Sequence, residues 1–454
     1  MSTAASKLVA TNRRPTSVHE QLAPRPTSIE ETGLTDAFIA ELIVKHLYEG
    51  GVLSMPDLAG RIKLPGNIVT EQVTFLRREA RVEIRSGTQA GQRFALTDKG
   101  RVMALDALMR SGYVGPAPVP LDMYTRIAKA QTVHTDVTDR DGMIAAFDEI
   151  VLNQSLLDQL GSAMNSGRAI FIYGPAGTGK TYITQRLARL LGDTILIPYA
   201  ISIGEIVVEL YDPVLHKQIV PDNNSEKHRL ALDTGHDERF VSCQRPVAIA
   251  GGELTLDMLE ILYDPARKTY RAPLQLRANN GLLIIDDMGR QRVAPADLLN
   301  RWIVPLEEAR DFLHLGTGMH FAVPFDVILI FSTNLNPLEL ADEAFLRRIG
   351  YKIRFDHLTP EDYTLIWRQN CEEFGIPYDP HIVQFTINEL HRTRNIPLLP
   401  CHPRDLLHMA MDHAAYFGDD GNITTERMQW AWDNYFVSLD TDGDGQSLRN
   451  RAER

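Results

Sequence analysis

Between an apolar run, Ala169-Ile170-Phe171-Ile172-Tyr173, and a helix-patterned stretch, Tyr182 to Leu191, the chain reads Gly174-Pro175-Ala176-Gly177-Thr178-Gly179-Lys180-Thr181. The pattern is G-x-x-x-x-G-K-[ST], set between a strand and a helix. Glycines let a backbone curl so that its N–H groups point inward at phosphate oxygens, and the start of the helix adds the positive end of its dipole. Lys180 then reaches the terminal phosphates of a nucleoside triphosphate, and the Thr181 hydroxyl ligates Mg²⁺. Gly174, Pro175, Ala176, Gly177, Thr178, Gly179, Lys180, Thr181 and Tyr182 are therefore the candidate nucleotide contacts.

At 454 residues the chain has room for two to four domains. A net charge of −12 argues against a dedicated nucleic-acid coat or a polybasic membrane binder. No apolar run approaches the roughly 18 residues that span a bilayer. The first 30 residues are polar, rich in Ser, Thr and Pro, and lack the apolar segment of a secretion signal. Three scattered cysteines, Cys243, Cys371 and Cys401, form no disulfide framework and suit a reducing cytoplasm. Cys401-His402 beside His408 lacks the second pair that a metal site would need.

Residues 1–31 read as disordered and carry a short repeat, Arg14-Pro15-Thr16-Ser17 and Arg25-Pro26-Thr27-Ser28. Residues 32–111 have their own pattern. Thr35 or Asp36 caps a helix to about Tyr48, a short helix runs from Met55 to Ile62, and a third runs from Ile68 to about Ala80. Val82–Arg85 and Arg93–Leu96 follow as a hairpin. This order resembles a winged-helix domain, whose third helix enters the major groove in DNA-binding members. Here the segment from Glu30 to Arg110 holds eleven acidic and eleven basic residues, so protein docking is expected over nucleic-acid binding. Gly115-Pro116-Ala117-Pro118-Val119-Pro120 reads as a stiff linker.

Gly281-Leu282-Leu283-Ile284-Ile285-Asp286-Asp287 is an apolar strand ending in two carboxylates, which a core does not need. Asp286 suits water-mediated binding of Mg²⁺, and Asp287 suits activation of an attacking water. Phe325 to Asn334 is a second such strand, with Asn334 placed to touch a γ-phosphate and that water. Asp342 to Tyr351 brings the pair Arg347-Arg348, and His402-Pro403-Arg404 opens a later helix. In this order the residues resemble the AAA+ ATPases. Gly174–Thr181 looks like Walker A, Leu282–Asp287 like Walker B, Asn334 like sensor 1, Arg348 like the arginine finger and Arg404 like sensor 2. The resemblance implies ATP and Mg²⁺ as cofactors and an ATPase with a P-loop α/β core and a small helical lid. It also implies a homo-oligomeric ring, typically a hexamer, in which Arg348 serves the neighbouring subunit's nucleotide. A hairpin expected at Asp311–Pro324 is similar to the MoxR-like and related branches, many of which remodel partner proteins.

The expected division is a disordered segment 1–31, a winged-helix-like α+β domain 32–111, a linker 112–146 and a nucleotide-binding α/β domain 147–358. A helical lid 359–438 and a disordered acidic-to-basic tail 439–454 complete it. The family usually has Glu where Asp287 stands. A carboxylate set about 1.5 Å farther back would slow hydrolysis by on the order of 100-fold. The expected function is a cytoplasmic protein remodeller, the alternatives being a DNA-associated regulator and a slow nucleotide switch. Two further segments carry readings of their own. The repeated Leu-Tyr-Asp-Pro around Tyr211 and Tyr263 reads as helix-ending turns, or as aromatic loops facing a pore. The acidic Asp440–Gly445 lacks the closing Glu of a calcium loop, since its twelfth position is Arg451.

Overall fold

The computed structural model describes residues 18–85, 91–134, 138–219, 235–316, 318–418 and 422–436. Its centre is a five-stranded sheet, all parallel: β1 Ile170–Tyr173, β2 Val247–Ala250, β3 Gly281–Ile285, β4 Val327–Thr333 and β5 Tyr351–Arg354. The order is β2-β3-β4-β1-β5. Every residue of β3 and β4 is buried, as expected of strands covered on both faces. Side chains alternate between two cores. Phe171, Leu283, Ile285, Leu329 and Phe331 pack with Trp302 and Phe345 on one face. Ile170, Ile172, Leu282, Ile284 and Ile330 pack with Phe147 and Leu160 on the other. This α/β core preceding a helical unit is the fold class the sequence implies.

The long stretch between the phosphate-loop helix and β3 supplies four strands of a second sheet, and residues 119–120 supply the fifth. Its strands, in order, are 262–264, 269–271, 206–209, 200–203 and 119–120. Here Leu-Tyr-Asp-Pro ends strands, not helices. Tyr263 lies on Leu262–Asp264 against the Tyr270 ring, and Tyr211 packs on Tyr199 and His216 just past Ile206–Glu209. The expected hairpin is present as Arg310–His314 paired with His320–Pro324.

Residues 36–96 contain the three expected helices, Asp36–Gly50, Met55–Ile62 and Gly66–Arg78, capped at the first by Thr35 rather than Asp36. A three-stranded antiparallel sheet joins Leu53–Ser54, Arg93–Leu96 and Val82–Arg85. A fourth helix, Asp98–Arg110, was not legible as such.

Two expectations are corrected. Residues 18–31 are not a disordered lead: Val18–Leu22 and Ile29–Thr32 are helical, and Ala23 and Ile29 are buried. Nor are residues 112–134 and 138–146 a mere linker, for they hold helices Leu121–Ala130 and Arg140–Ala146 with Tyr124, Ile127 and Met143 buried. The physical reason is a buried ion pair that no local pattern announces. Arg239 and Asp237 are fully enclosed, their side chains 2.7 Å apart. Arg239 donates to the carbonyls of Thr32 at 2.8 Å and Pro118 at 3.1 Å, while the Asp237 N–H donates to Ala23. The pair fastens Ala23, Thr32 and Pro118 to the start of the strand Phe240–Gln244, which pairs with Thr194–Pro198. In the second Arg-Pro-Thr-Ser copy, Ser28 caps helix Ile29–Thr32 by accepting from the Glu31 N–H, and Thr27 donates to the Glu31 carboxylate. The first copy and the acidic tail lie outside the described residues.

Four helices, Pro360–Phe374, Pro380–Arg392, Cys401–Tyr416 and Thr425–Tyr435, enclose Tyr363, Trp367, Leu406 and Trp432. Two histidines are sealed in this core. Burial holds His391 and His402 at about 4, below the ordinary 6.5. The neutral form is favoured in the fold, so unfolding takes up protons and stability falls as pH drops from about 6.5 to about 4. The melting temperature is expected to fall across that window, and more shallowly in His402→Leu. A parallel pH dependence in the two proteins would contradict this.

Candidate nucleotide site

The carboxyl ends of β1, β3 and β4 lie at one edge of the sheet, where open α/β sheets place their ligands. Each strand delivers one part of the site. After β1 the chain turns through Gly174 (φ 145°), Gly177 (φ 78°) and Gly179 (φ 80°) into the helix Lys180–Arg186. These φ values favour glycine, and the space forbids a side chain. A Cβ on Gly174 would sit 2.0 Å from the Phe355 carbonyl oxygen, and one on Gly177 would sit 2.9 Å from Cys401 Sγ. The loop is therefore a bare backbone cradle, the form that suits polyphosphate. Gly174→Ala is expected to lower the melting temperature and to abolish the stabilisation that ATP gives. Thermal denaturation with and without nucleotide reads both, and a variant still stabilised by ATP would sink the cradle reading.

Lys180 is 6 % exposed. Its Nζ donates to the carbonyls of Gly174 (2.9 Å) and Pro175 (2.7 Å) and to Asn334 Oδ1 (2.6 Å). Burial lowers its pKa, and the nearby charges of Asp286 and Asp287 act against that. Asn334 in turn donates from Nδ2 to Asp287 Oδ1 at 3.1 Å. An ammonium only donates and a carboxylate only accepts, so the amide oxygen of Asn334 must face Lys180 and its NH₂ must face Asp287. Thr181 Oγ1 donates to Asp286 Oδ2 at 2.7 Å, which brings together two hard oxygen ligands of the kind Mg²⁺ takes. Thr178 Oγ1 is spent on the Pro175 carbonyl.

Asp287 sits at φ 48°, a left-handed conformation that aspartate tolerates better than most residues. Its N–H donates to Asp286 Oδ1. This backbone swing accompanies the 3.1 Å contact with Asn334, so the shorter side chain still meets the end of β4.

Ala176 to Tyr182, Asp286, Asp287, Asn334 and Arg404 line one cleft of about 840 Å³, with Gly174 and Pro175 contributing carbonyls to Lys180. Arg404 reaches it from the helical unit, held by Glu373 at 3.0 Å and lying over the Phe374 ring. Arg348 does not line the cleft of its own chain. Its guanidinium pairs with Glu307 and donates to the Ala344 carbonyl at 2.9 Å. Among the described residues, Arg347 pairs with Glu343, one turn away, and is 80 % exposed.

Sequence reasoning missed the far end of the cleft, formed by Ile150, Val151 and Leu152 with Leu358 and Ile366. The apolar triplet before the Asn153 cap was the available signal, but three apolar residues carry no period. Arg354, paired with Asp356 at 2.8 Å, was also missed. Among the described residues no group of three or more His, Cys, Asp or Glu side chains could hold a metal ion. Nor is any described helix long and apolar enough to cross a membrane.

Residues 152–311 match the family model described as AAA ATPase domain. Residues 359–434 match Domain of unknown function (DUF8689). No curated protein matches the chain. Similar solved structures include a mutant of RuvB from Thermotoga maritima, 14% identical over 64% of this chain and 72% of that one, with TM-score 0.40. Another is the Thermotoga maritima RuvB Holliday junction branch migration motor, 13% identical over 71% and 73%, with TM-score 0.35. NtrX from Brucella abortus in complex with ADP is 15% identical over 76% and 69%, with TM-score 0.39. Nothing about this chain follows from likenesses at that level.

Proposed function

This chain carries an AAA ATPase domain at residues 152–311, and from that premise we propose that it hydrolyses ATP with Mg²⁺, works as a homo-oligomeric ring and remodels a protein client. The reading rests above all on one connected set of contacts at one sheet edge. Pro175 O, Lys180, Asn334 and Asp287 form a continuous hydrogen-bond chain, with Thr181 and Asp286 joined beside it.

The roles follow from what each group can do. The N–H groups of Gly177 to Thr181 cradle phosphates. Lys180, whose ammonium leans on carbonyls and an amide, exchanges those neutral partners for phosphate oxygens, which are stronger acceptors. That exchange frees the Asn334 amide to hold an attacking water. Asp287 takes the proton of that water. Thr181 and Asp286 would hold the metal ion, which supplies neutralising charge to the phosphates. Arg404 meets the nucleotide from the lid, and Arg348 meets the nucleotide of the next subunit.

The residues before the core, with their three helices and small sheet, are read as a winged-helix-like docking module. Protein docking is favoured because Asn67 donates to the Thr27 carbonyl at 2.8 Å, and Gln72 is 3 % exposed and bonded to Asp36. Thr70 also donates to the Gly66 carbonyl at 2.6 Å, so three of the four polar side chains at the start of the third helix, Asn67, Thr70, Glu71 and Gln72, are already engaged within the chain. A slow switch is the second reading, offered by Asp287 being one methylene shorter than glutamate; the 3.1 Å contact of Asp287 with Asn334 weighs against it.

The test is to trap the ATP-bound state with Asp287→Asn and identify what co-purifies, with and without nuclease. A protein retained after nuclease supports the remodeller. Nucleic acid, or proteins lost with it, contradicts it in favour of a DNA-associated role. A wild-type ATPase rate at background, even at high protein concentration, favours the switch.

A further inference from the structure

Lysine is rarely buried without an opposite charge beside it, because removing an ammonium from water costs more than one or two carbonyl contacts return. Lys45, on helix Asp36–Gly50, is 7 % exposed. Its Nζ donates to the carbonyls of Ser111 at 2.7 Å and Tyr113 at 3.5 Å. Among the described residues it has no carboxylate partner, since the nearby Glu41 is bound to Arg110. Burial pulls its pKa down to about 8, with Glu41 raising it and Arg110 lowering it.

Lys45 lines a cavity of about 320 Å³, at the small end of the range for ligand pockets. Three pieces of chain meet there: helix Asp36–Gly50, the end of helix Asp98–Arg110, and Glu205 with the start of the strand Ile206–Glu209 of the second sheet. Phe38, Leu42 and Ile206 give it apolar walls. It shares no residue with the nucleotide cleft.

We propose that this cavity binds a small carboxylate with an apolar tail, the carboxylate on Lys45 and the tail against Phe38, Leu42 and Ile206. A monoanion suits the site better than phosphate. Only one cation is uncommitted, Arg110 being engaged by Glu41, and Glu205 stands at the wall; a dianion would leave buried charge unmatched. Because the walls come from both the N-terminal helices and the second sheet, the ligand ties those two parts together.

The test uses the full-length chain, with octanoate as probe and octan-1-ol as the uncharged control, by titration calorimetry. Octanoate is expected to bind one-to-one and octanol at least about tenfold more weakly. Lys45→Met keeps the apolar stem, and is expected to lose about tenfold or more in octanoate affinity while ATP affinity is unchanged. A second measurement does not depend on that variant folding. Acetylation of Lys45 by acetic anhydride, followed by mass spectrometry, should be slowed by octanoate and not by octanol. Equal binding of the two probes, no one-to-one binding, or a Lys45 that octanoate does not protect would overturn the proposal. Inorganic phosphate protecting Lys45 as well as octanoate does would overturn the apolar-tailed class.

Discussion

Arg348→Ala is expected to leave ATP affinity unchanged and to lower turnover by about 10³-fold or more. The unchanged affinity follows from position: Arg348 does not line the cleft of its own chain. It ends the helix Glu343–Arg348, and two contacts fix its direction, Glu307 from another helix and the Ala344 carbonyl from its own turn. A guanidinium held that way needs little reordering to meet a phosphate on a docked neighbour, and its charge is most valuable where negative charge develops in the transition state. Arg347 is the internal control. It lies 80 % exposed with one partner a turn away, the geometry of a surface pair that contributes little. Arg347→Ala should stay within about tenfold of wild type. Steady-state ATPase assays at matched protein concentration, with nucleotide affinity measured separately, distinguish the two. A normal rate in Arg348→Ala, or a collapse in Arg347→Ala, would move the finger to Arg347.

Asp287→Asn should bind ATP as wild type does and hydrolyse it on the order of 10²- to 10⁴-fold more slowly, the range for loss of a general base. The amide is nearly isosteric and can keep one contact with Asn334, so the left-handed turn at φ 48° survives and basicity alone is removed. Single-turnover hydrolysis in an excess of protein isolates this step from product release. A rate within a few-fold of wild type would mean that another group takes the proton. The same geometry bears on Asp287→Glu. Aspartate already lies 3.1 Å from Asn334, so a longer side chain would have to fold back, and a large acceleration is not expected.

What was legible in the sequence was local. β3 and β4 are continuous apolar runs because both faces of the sheet are covered, and runs of that kind ending in Asp286-Asp287 or Asn334 stand out. The phosphate loop announces itself through glycines whose φ values no other residue adopts easily. The failures were long-range. Residues 18–32 look polar and irregular, and they are ordered by Arg239 and Asp237, some two hundred positions away. The second sheet is built from strands of two to four residues, too short for alternation to register, so Tyr211 and Tyr263 read as turn residues. At Asp287 the sequence shows a missing methylene, but it cannot show the left-handed backbone that brings the carboxylate to Asn334. The apolar end of the cleft at Ile150–Leu152 acquires meaning only when Leu358 and Ile366 arrive opposite it.

The account stands or falls on a site shared between subunits, and mixing two inactive proteins tests that directly. Lys180→Ala removes the phosphate-binding ammonium but keeps Arg348; Arg348→Ala keeps a whole cleft but lacks the finger. Each alone should be nearly silent. Mixed in equal amounts and allowed to exchange subunits, they should recover a substantial fraction of wild-type ATPase activity. The recovered activity comes from clefts of the Arg348→Ala chains completed by Arg348 of Lys180→Ala neighbours. A mixture that stays as inactive as its components, while still co-assembling, would contradict the account.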